Sequence, residues 1–339
     1  MSNLMEFQLP SAWTVNELLE HPDWIIKLTA EEIAELETAL QEHLGSNVEY
    51  QDITKNQFPL PYLSKKLSYI LDVIENGIGA VVLRGIPVEK YEPIEIKKLL
   101  WGMSLYLGTA IGQSSARELM NDLKDKGLKI GDPKSRYLNS RGAAALHSDG
   151  YCDLVMMLSI AEAKWGGESE IASSVAVHNE MLKYYPDFLK VLYEPFNHKL
   201  PDRHQGMMED YYPLPIFANY QDYFVCTYAR YLIEDAQNYT KAPRLSEKQK
   251  QALNQLDELY NNPKFKLTFR LLPGDLILIN NLVVLHGRKE YTDEATTKRH
   301  LLRLWLSHPK SRPLPPEYSI PYRNTAPGSV RGSSLFVKW

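Results

Sequence analysis

A histidine followed two residues later by a carboxylate puts two metal-binding side chains on one face of an extended strand, because strand side chains alternate with a period of two. The chain contains three such pairs: His21-Pro22-Asp23, His147-Ser148-Asp149 and His178-Asn179-Glu180. Chance supplies roughly one in a chain of ordinary composition, so local structure must choose among them. His178 and Glu180 fall in a helical stretch, where two residues subtend about 200° and the side chains diverge. Asp23 reads as a turn or cap residue ahead of a short apolar segment. His147 and Asp149 close a strand-like segment that Gly150 ends, and they keep the chelating geometry.

A metal needs a third ligand, and His286 is the candidate. It ends the β-rich run LILINNLVVLH, with Gly287 behind it. The bland alternative is a buried, hydrogen-bonded histidine at a barrel rim. Two histidines and one carboxylate with open positions is the arrangement of non-haem Fe(II) oxygenases, and zinc hydrolysis is compatible with the same ligands. The segment KRHLLRLWLS bears on the choice. Arg299 and Arg303 are four apart on a strand, hence on one face and about 13 Å apart. Two inward arginines beside a metal imply two anions, since the guanidinium fork fits a carboxylate. Leu301, Leu302, Leu304, Trp305 and Leu306 around them speak against a solvated charged face. Arg303, with Arg230 in the Tyr228-Ala229-Arg230-Tyr231 stretch, suggests a small acidic substrate. Glu209 and Asp210 are candidates to face an amine, which makes the substrate amino-acid-like.

The elements that must position these residues follow from periodicity and punctuation. Helices are expected over Thr29 to His43 with Thr29 as cap, over Pro61 to Asn76, Ile94 to Leu107 and Ser174 to Tyr193, and after Ser246 to Asn261. Strands are expected at Ala80 to Leu83, Ala143 to Asp149, within Phe196 to Arg230, at Phe265 to Leu272, as one run from Leu276 to Leu285, and at Arg299 to Ser307. Gly108 to about Asn139 reads as a long irregular loop. Six prolines from Pro309 to Pro327 suggest a tail wrapped over the surface in extended form. Helices lead and interrupt while strands dominate the second half, so the fold class is α+β with a mainly β core.

Composition narrows the function class. The 339 residues carry 38 basic and 42 acidic side chains, a net charge of −4, with no Lys/Arg block to track a phosphate backbone, which argues against nucleic acid. No apolar run approaches a membrane span and no signal-like start is present. Two cysteines, Cys152 and Cys226, are too few for a disulfide framework and fit a cytoplasmic setting as small core residues. A small-molecule substrate is the expected partner, and a homo-oligomer is left open.

The motifs GIGAVVLRGIP (Gly77 to Pro87), LHSDGYCD (Leu146 to Asp153), GGESEIASS (Gly166 to Ser174), PGDLILINNLVVLHGR (Pro273 to Arg288) and RHLLRLWL (Arg299 to Leu306), in this order, resemble the taurine dioxygenase family of Fe(II)/2-oxoglutarate-dependent oxygenases, within the clavaminate-synthase-like superfamily. The resemblance implies a double-stranded β-helix, or jelly roll, with flanking and inserted helices. It implies iron held by His147, Asp149 and His286, with 2-oxoglutarate and O₂ as cosubstrates. The far carboxylate of 2-oxoglutarate then falls to Arg299 assisted by Ser169, and the prime substrate to Arg303. Oxidative decarboxylation to succinate and CO₂ would accompany hydroxylation of an unactivated C–H bond. A carboxylate at 149 favours oxygenation, since related halogenases have a small residue there. The expected organisation is one oxygenase domain over 1–339: an N-terminal helical segment over residues 1–76, a jelly-roll core 77–308 with a helical insert about 175–262, and an extended tail 309–339. Two departures stand out: the 13-residue step from His286 to Arg299, and Asn281 with the Tyr/Arg-rich stretch around Arg230. The alternatives are a non-catalytic jelly-roll binding protein and a zinc-dependent hydrolase. Intact His147, Asp149, His286 and Arg299 weigh against the first, and paired arginines against the second.

Overall fold

Helix boundaries in the first hundred residues are set by side chains that satisfy the free backbone groups at each end. After α1 (Val15–Glu20) and β1 (Ile25–Lys27), Thr29 and Glu32 form a reciprocal capping box that opens α2 (Ala30–Gln41). Helix α3 (Leu63–Asn76) buries Leu63, Leu67, Ile70, Leu71 and Ile74, one face at helical spacing, against the β core. It stops at Gly77, where a Cβ would stand 2.7 Å from the Val73 carbonyl oxygen. The chain then enters the buried strand β2 (Ala80–Arg84) and returns through α4 (Pro93–Ser104), which starts with proline at its first turn.

The computed structural model describes residues 4–113, 118–128, 139–200, 211–294 and 298–332. Beyond α4 come β3 (Thr109–Ala110), β4 (Met120–Leu123), β5 (Ala144–His147), β6 (Leu154–Ala161), β7 (Trp165–Gly166) and β8 (Ser169–Ser173). The insert contains α5 (Ser174–Tyr184), α6 (Pro186–Leu192), β9 (Phe196–Lys199), β10 (Tyr211–Leu214), β11 (Phe217–Tyr220), β12 (Tyr223–Cys226), α7 (Arg230–Ala236) and α8 (Glu247–Asn261). The chain then returns to the core with β13 (Lys266–Phe269), β14 (Asp275–Asn280), β15 (Val284–Arg288), β16 (Tyr291–Thr292) and β17 (His300–Ser307), and ends with α9 (Ser319–Tyr322).

Two sheets make the core. The larger runs β1-β2-β14-β6-β17-β3, with β4 also paired to β17, and only the β1–β2 edge is parallel. The smaller runs β13-β8-β15-β5, all antiparallel. Side chains from both sheets meet in one apolar cluster that includes Val155, Ile171, Leu285 and Leu304. This is the jelly roll expected from the motifs.

Four local expectations change. The run Leu276 to Leu285 is two strands in different sheets, because Asn280 and Asn281 turn the chain and their side chains replace the lost strand hydrogen bonds. The long loop after Gly108 contains β4, paired residue for residue with Leu301 to Leu304. Ser174 to Tyr193 breaks at Tyr185, since Pro186 cannot continue a helix, and the insert as a whole mixes helices with two hairpins. The tail is neither extended nor superficial over its described residues. It carries α9 and buries Arg312, Leu314, Tyr318, Tyr322 and Arg331. Arg312 Nε meets Glu75 Oε1 at 2.8 Å, and Arg331 Nη1 meets Asp153 Oδ1 at 2.7 Å, so buried ion pairs clamp it to the core.

Candidate active site

His147 is the last residue of β5 and pairs directly with His286 on β15, so the antiparallel register itself sets the two imidazoles side by side, 4.6 Å between centroids. Asp149 lies beyond the end of β5. Its placement comes from Asn281, whose Oδ1 accepts the Asp149 N–H at 2.7 Å and whose Nδ2 donates to the Asp149 carbonyl at 2.8 Å. The side-chain amide thus acts as a rung of sheet between two crossovers, the one joining β5 to β6 and the one joining β14 to β15. Ser148 is tied in turn to the Tyr228 backbone: its N–H donates to the Tyr228 carbonyl, and its hydroxyl accepts from the Tyr228 N–H.

His147, Asp149 and His286 each offer a ligand atom, and these atoms lie within 4.8 Å of one another. Nε2 of His147 is 3.6 Å from Asp149 Oδ1, and Nε2 of His286 is 3.5 Å from Oδ2. The Ala145 carbonyl, 2.8 Å from His147 Nδ1, can only accept, so Nδ1 carries the proton and Nε2 keeps its lone pair. Burial lowers the pKa of His286 despite the opposing pull of Asp149, which favours the neutral ring that binds metal. Burial pushes Asp149 the other way, yet the Arg303 guanidinium helps hold its carboxyl well below the usual range. Two imidazoles and one anionic oxygen donor, with ligand atoms converging on one point, fit Fe(II).

Arg303 on β17 and Arg299 just ahead of it are both buried. Arg299 stands just before the strand, where an irregularity in register separates His300 from Leu301. Its guanidinium is buried, Nη1 has no hydrogen-bond partner, and among the described residues no carboxylate pairs with it. Burial, with Arg288 nearby, pulls its pKa down to about 10. Tyr291 lies between two cations, 5.3 Å from Arg299 and 4.7 Å from Arg288. Gly167 provides the room: with φ of +74°, a Cβ there would stand 3.0 Å from Arg299 Cδ and Nε. Ser169, two residues on, is buried on β8 opposite Arg288.

Arg303 is engaged with the site itself. Its Nη1 donates to both oxygens of Asp149, at 3.1 and 2.9 Å, and its Nε donates to Gln113 Oε1 at 2.9 Å. Gln113 is held by the Leu119 and Arg303 carbonyls, so it fixes the guanidinium plane. Trp305 Nε1 donates to Asp149 Oδ2 at 2.7 Å. Arg230 takes a different place. Its guanidinium pairs with Glu234, Asp257 and Asn254, bracing α7 against α8. Glu209 and Asp210 lie outside the described residues. Gln113 and Trp305 are site residues that sequence reasoning passed over, and Asn281 stood out there only as a departure from the family pattern, without a role. Trp305 had a signal, since it shares a strand face with Arg303.

The two other pairs lie away from this cluster, and His21 Nδ1 is 3.9 Å from Asp23 Oδ2. His178 lies in α5, its Nε2 2.8 Å from the Tyr193 hydroxyl, while Glu180 pairs with Lys264. Asp23 accepts from the Tyr69 hydroxyl at 2.8 Å. Cys152 and Cys226 are buried, and among the described residues neither forms a disulfide. No described helix is long and apolar enough to cross a membrane.

Comparison with known proteins agrees with this geometry. The family model described as taurine catabolism dioxygenase TauD, TfdA family matches residues 38–305. FR-33289 synthase of Streptomyces rubellomurinus is 26% identical over 314 residues, 91% of this chain and 92% of the synthase. The taurine hydroxylase-like protein SAT17 of Stachybotrys chartarum is 26% identical over 308 residues, 86% of this chain and 77% of its own. Among solved structures, an asparagine oxygenase in complex with Fe(II), 2S,3S-3-hydroxyasparagine and succinate matches with a TM-score of 0.65 at 18% identity, over 84% of this chain and 93% of that one. The non-heme iron oxygenase OrfP in complex with Fe and alpha-ketoglutaric acid matches with a TM-score of 0.62 at 17% identity, over 83% and 93%. These two likenesses establish the double-stranded β-helix fold.

Proposed function

The chain belongs to the TauD/TfdA family of Fe(II)/2-oxoglutarate-dependent dioxygenases, and from that membership we propose that it hydroxylates an unactivated C–H bond of a small, amino-acid-like or acidic substrate, releasing succinate and CO₂. The observation that carries this reading is the convergence of His147, Asp149 and His286, with Arg303 on Asp149 and Arg299 buried without a carboxylate partner among the described residues. Iron bound by these three residues, with 2-oxoglutarate, supplies the activation of O₂ that breaks a C–H bond.

The chain's own residues divide the binding work. Arg299, a buried cation with no carboxylate partner among the described residues, takes the far carboxylate of 2-oxoglutarate, with the Ser169 hydroxyl as its assistant. Arg303 spends Nη1 and Nε on Asp149 and Gln113, so its remaining Nη2 edge receives the acidic group of the substrate. His147 keeps its ring oriented through Ala145, and Asn281 holds the backbone of Asp149 from both sides. Solved neighbours hold 3-hydroxyasparagine and (3S)-hydroxy-L-Arg, which supports an amino-acid-like substrate.

The test is a panel of amino acids and small acids assayed with Fe(II) and 2-oxoglutarate, reading succinate and product mass. One class of acidic or zwitterionic compound is expected to accelerate succinate formation and to gain one oxygen atom. Acceleration only by neutral apolar compounds, or a product that loses hydrogens without gaining oxygen, would contradict it.

A further inference from the structure

The metal-binding carboxylate is held from the opposite sheet. Asp149 sits at the end of the smaller sheet, and the donors that reach its side chain, Arg303 and Trp305, both come from β17 in the larger one. The two donors do different things. Arg303 Nη1 straddles the carboxylate, donating to Oδ1 at 3.1 Å and to Oδ2 at 2.9 Å, and so does not distinguish the oxygens. The Trp305 indole does distinguish them: its N–H donates to Oδ2 alone, at 2.7 Å, within the short range of a hydrogen bond to a charged acceptor. Oδ1, on the His147 side, is left the less engaged oxygen.

Trp305 is well placed for this work. It is buried, its ring lies 4.9 Å from the Arg303 guanidinium carbon, and its backbone is paired with Val155 and bonded to the N–H of Ile111. The indole therefore has little freedom to follow a carboxylate that rotates. An apolar residue of equal size would fill the same space and leave Asp149 free to turn about its side-chain bonds toward the guanidinium.

We infer that Trp305 is a positioning residue for the metal centre: its N–H fixes Oδ2 of Asp149, orienting the carboxylate so that a metal can compete with Arg303 for it. This rests on the reading that His147, Asp149 and His286 bind iron. Outer hydrogen bonds to ligating carboxylates typically carry 10- to 100-fold in metal affinity.

The experiment measures Co(II) and anaerobic Fe(II) binding to metal-stripped protein without 2-oxoglutarate, for the wild type, Asp149→Ala, Trp305→Phe and Trp305→His. The visible absorption of the cobalt forms and the melting temperatures of the metal-free forms are recorded alongside. The wild type is expected to bind one metal per chain and Asp149→Ala to lose most of that affinity. Trp305→Phe should raise the metal Kd roughly 10- to 100-fold and alter the cobalt spectrum, and Trp305→His, which keeps a ring N–H, should fall between it and the wild type. A Trp305→Phe Kd within about twofold of wild type, with Asp149→Ala impaired, would overturn the inference and leave the metal site standing. If Trp305→Phe does not fold, a Trp305→His protein that folds but shows more than roughly a 100-fold loss overturns it equally, since the ring N–H is then not what matters. A wild type that binds no metal, or an Asp149→Ala that binds normally, would instead remove the metal site itself.

Discussion

Replacing Arg299 with Met keeps most of the side-chain stem and deletes a buried charge that has no carboxylate partner among the described residues. If that charge is there for 2-oxoglutarate, the variant loses a charge-assisted hydrogen bond of about 1.5–3 kcal/mol, or roughly 10- to 150-fold in affinity. The ligand-free protein should lose nothing, or gain, because an uncompensated buried cation costs folding energy. Thermal shift with Mn(II) present, substrate absent and 2-oxoglutarate at about 100 times its wild-type Kd separates the two effects. Wild type gains about 2.7 kcal/mol under those conditions. An unfolding entropy of about 2.1 cal/mol/K per residue over 339 residues is roughly 0.7 kcal/mol/K, so the melting temperature should rise about 4 °C. With Kd raised about 100-fold the rise shrinks to below about 1 °C. A full shift in Arg299→Met, or a large loss of ligand-free stability with normal ligand affinity, would refute the reasoning and make Arg299 a structural cation.

Gly167→Ala should damage the same site without touching a charge: the new Cβ meets Arg299 at 3.0 Å and Tyr291 at 3.3 Å on a backbone with φ of +74°. A stability loss of about 1–3 kcal/mol in denaturant and weaker 2-oxoglutarate binding are expected, whereas unchanged binding would place Arg299 outside the cosubstrate site. Arg303→Ala should raise the KM of the prime substrate more than the Kd of 2-oxoglutarate, and the reverse ranking in paired titrations would exchange the two assignments. Burial lowers the pKa of His178 from 6.5 to about 4, so its contribution to stability is complete above pH 6.5 and is lost as pH falls toward 4. Between pH 7.5 and 4.5 that loss is about 2 kcal/mol, and His178→Phe should reduce the acid-induced drop in unfolding free energy by this amount; an unchanged drop would mean that His178 is protonated in the folded state.

Much of the site was legible because its key residues obey strand alternation. His147 ends β5, His286 stands at the centre of β15, and Arg299 and Arg303 keep an even spacing into β17, all of which a period of two makes visible. Asp149 was found by a rule that it does not fully obey: it has left the strand, and Asn281, 132 positions away, holds it where the strand would have. Such contacts depend on which crossovers meet in space, and no local pattern encodes that. The same holds for the turn at Asn280 and Asn281, hidden inside a continuous β-rich run, and for the tail. Its prolines suggest a surface strap, but Glu75 and Asp153, 237 and 178 positions from their arginine partners, draw Arg312 and Arg331 into the interior. From sequence, Trp305 counted only as apolar bulk. Its N–H became meaningful only once Asp149 stood opposite it.

The most direct test of the assigned chemistry is turnover under ¹⁸O₂ with the best substrate from the panel. One labelled oxygen atom should appear in succinate and one in the hydroxylated product, in equal amounts. Succinate formation with no oxygen from O₂ in either compound, or product formed without 2-oxoglutarate, would contradict the assignment.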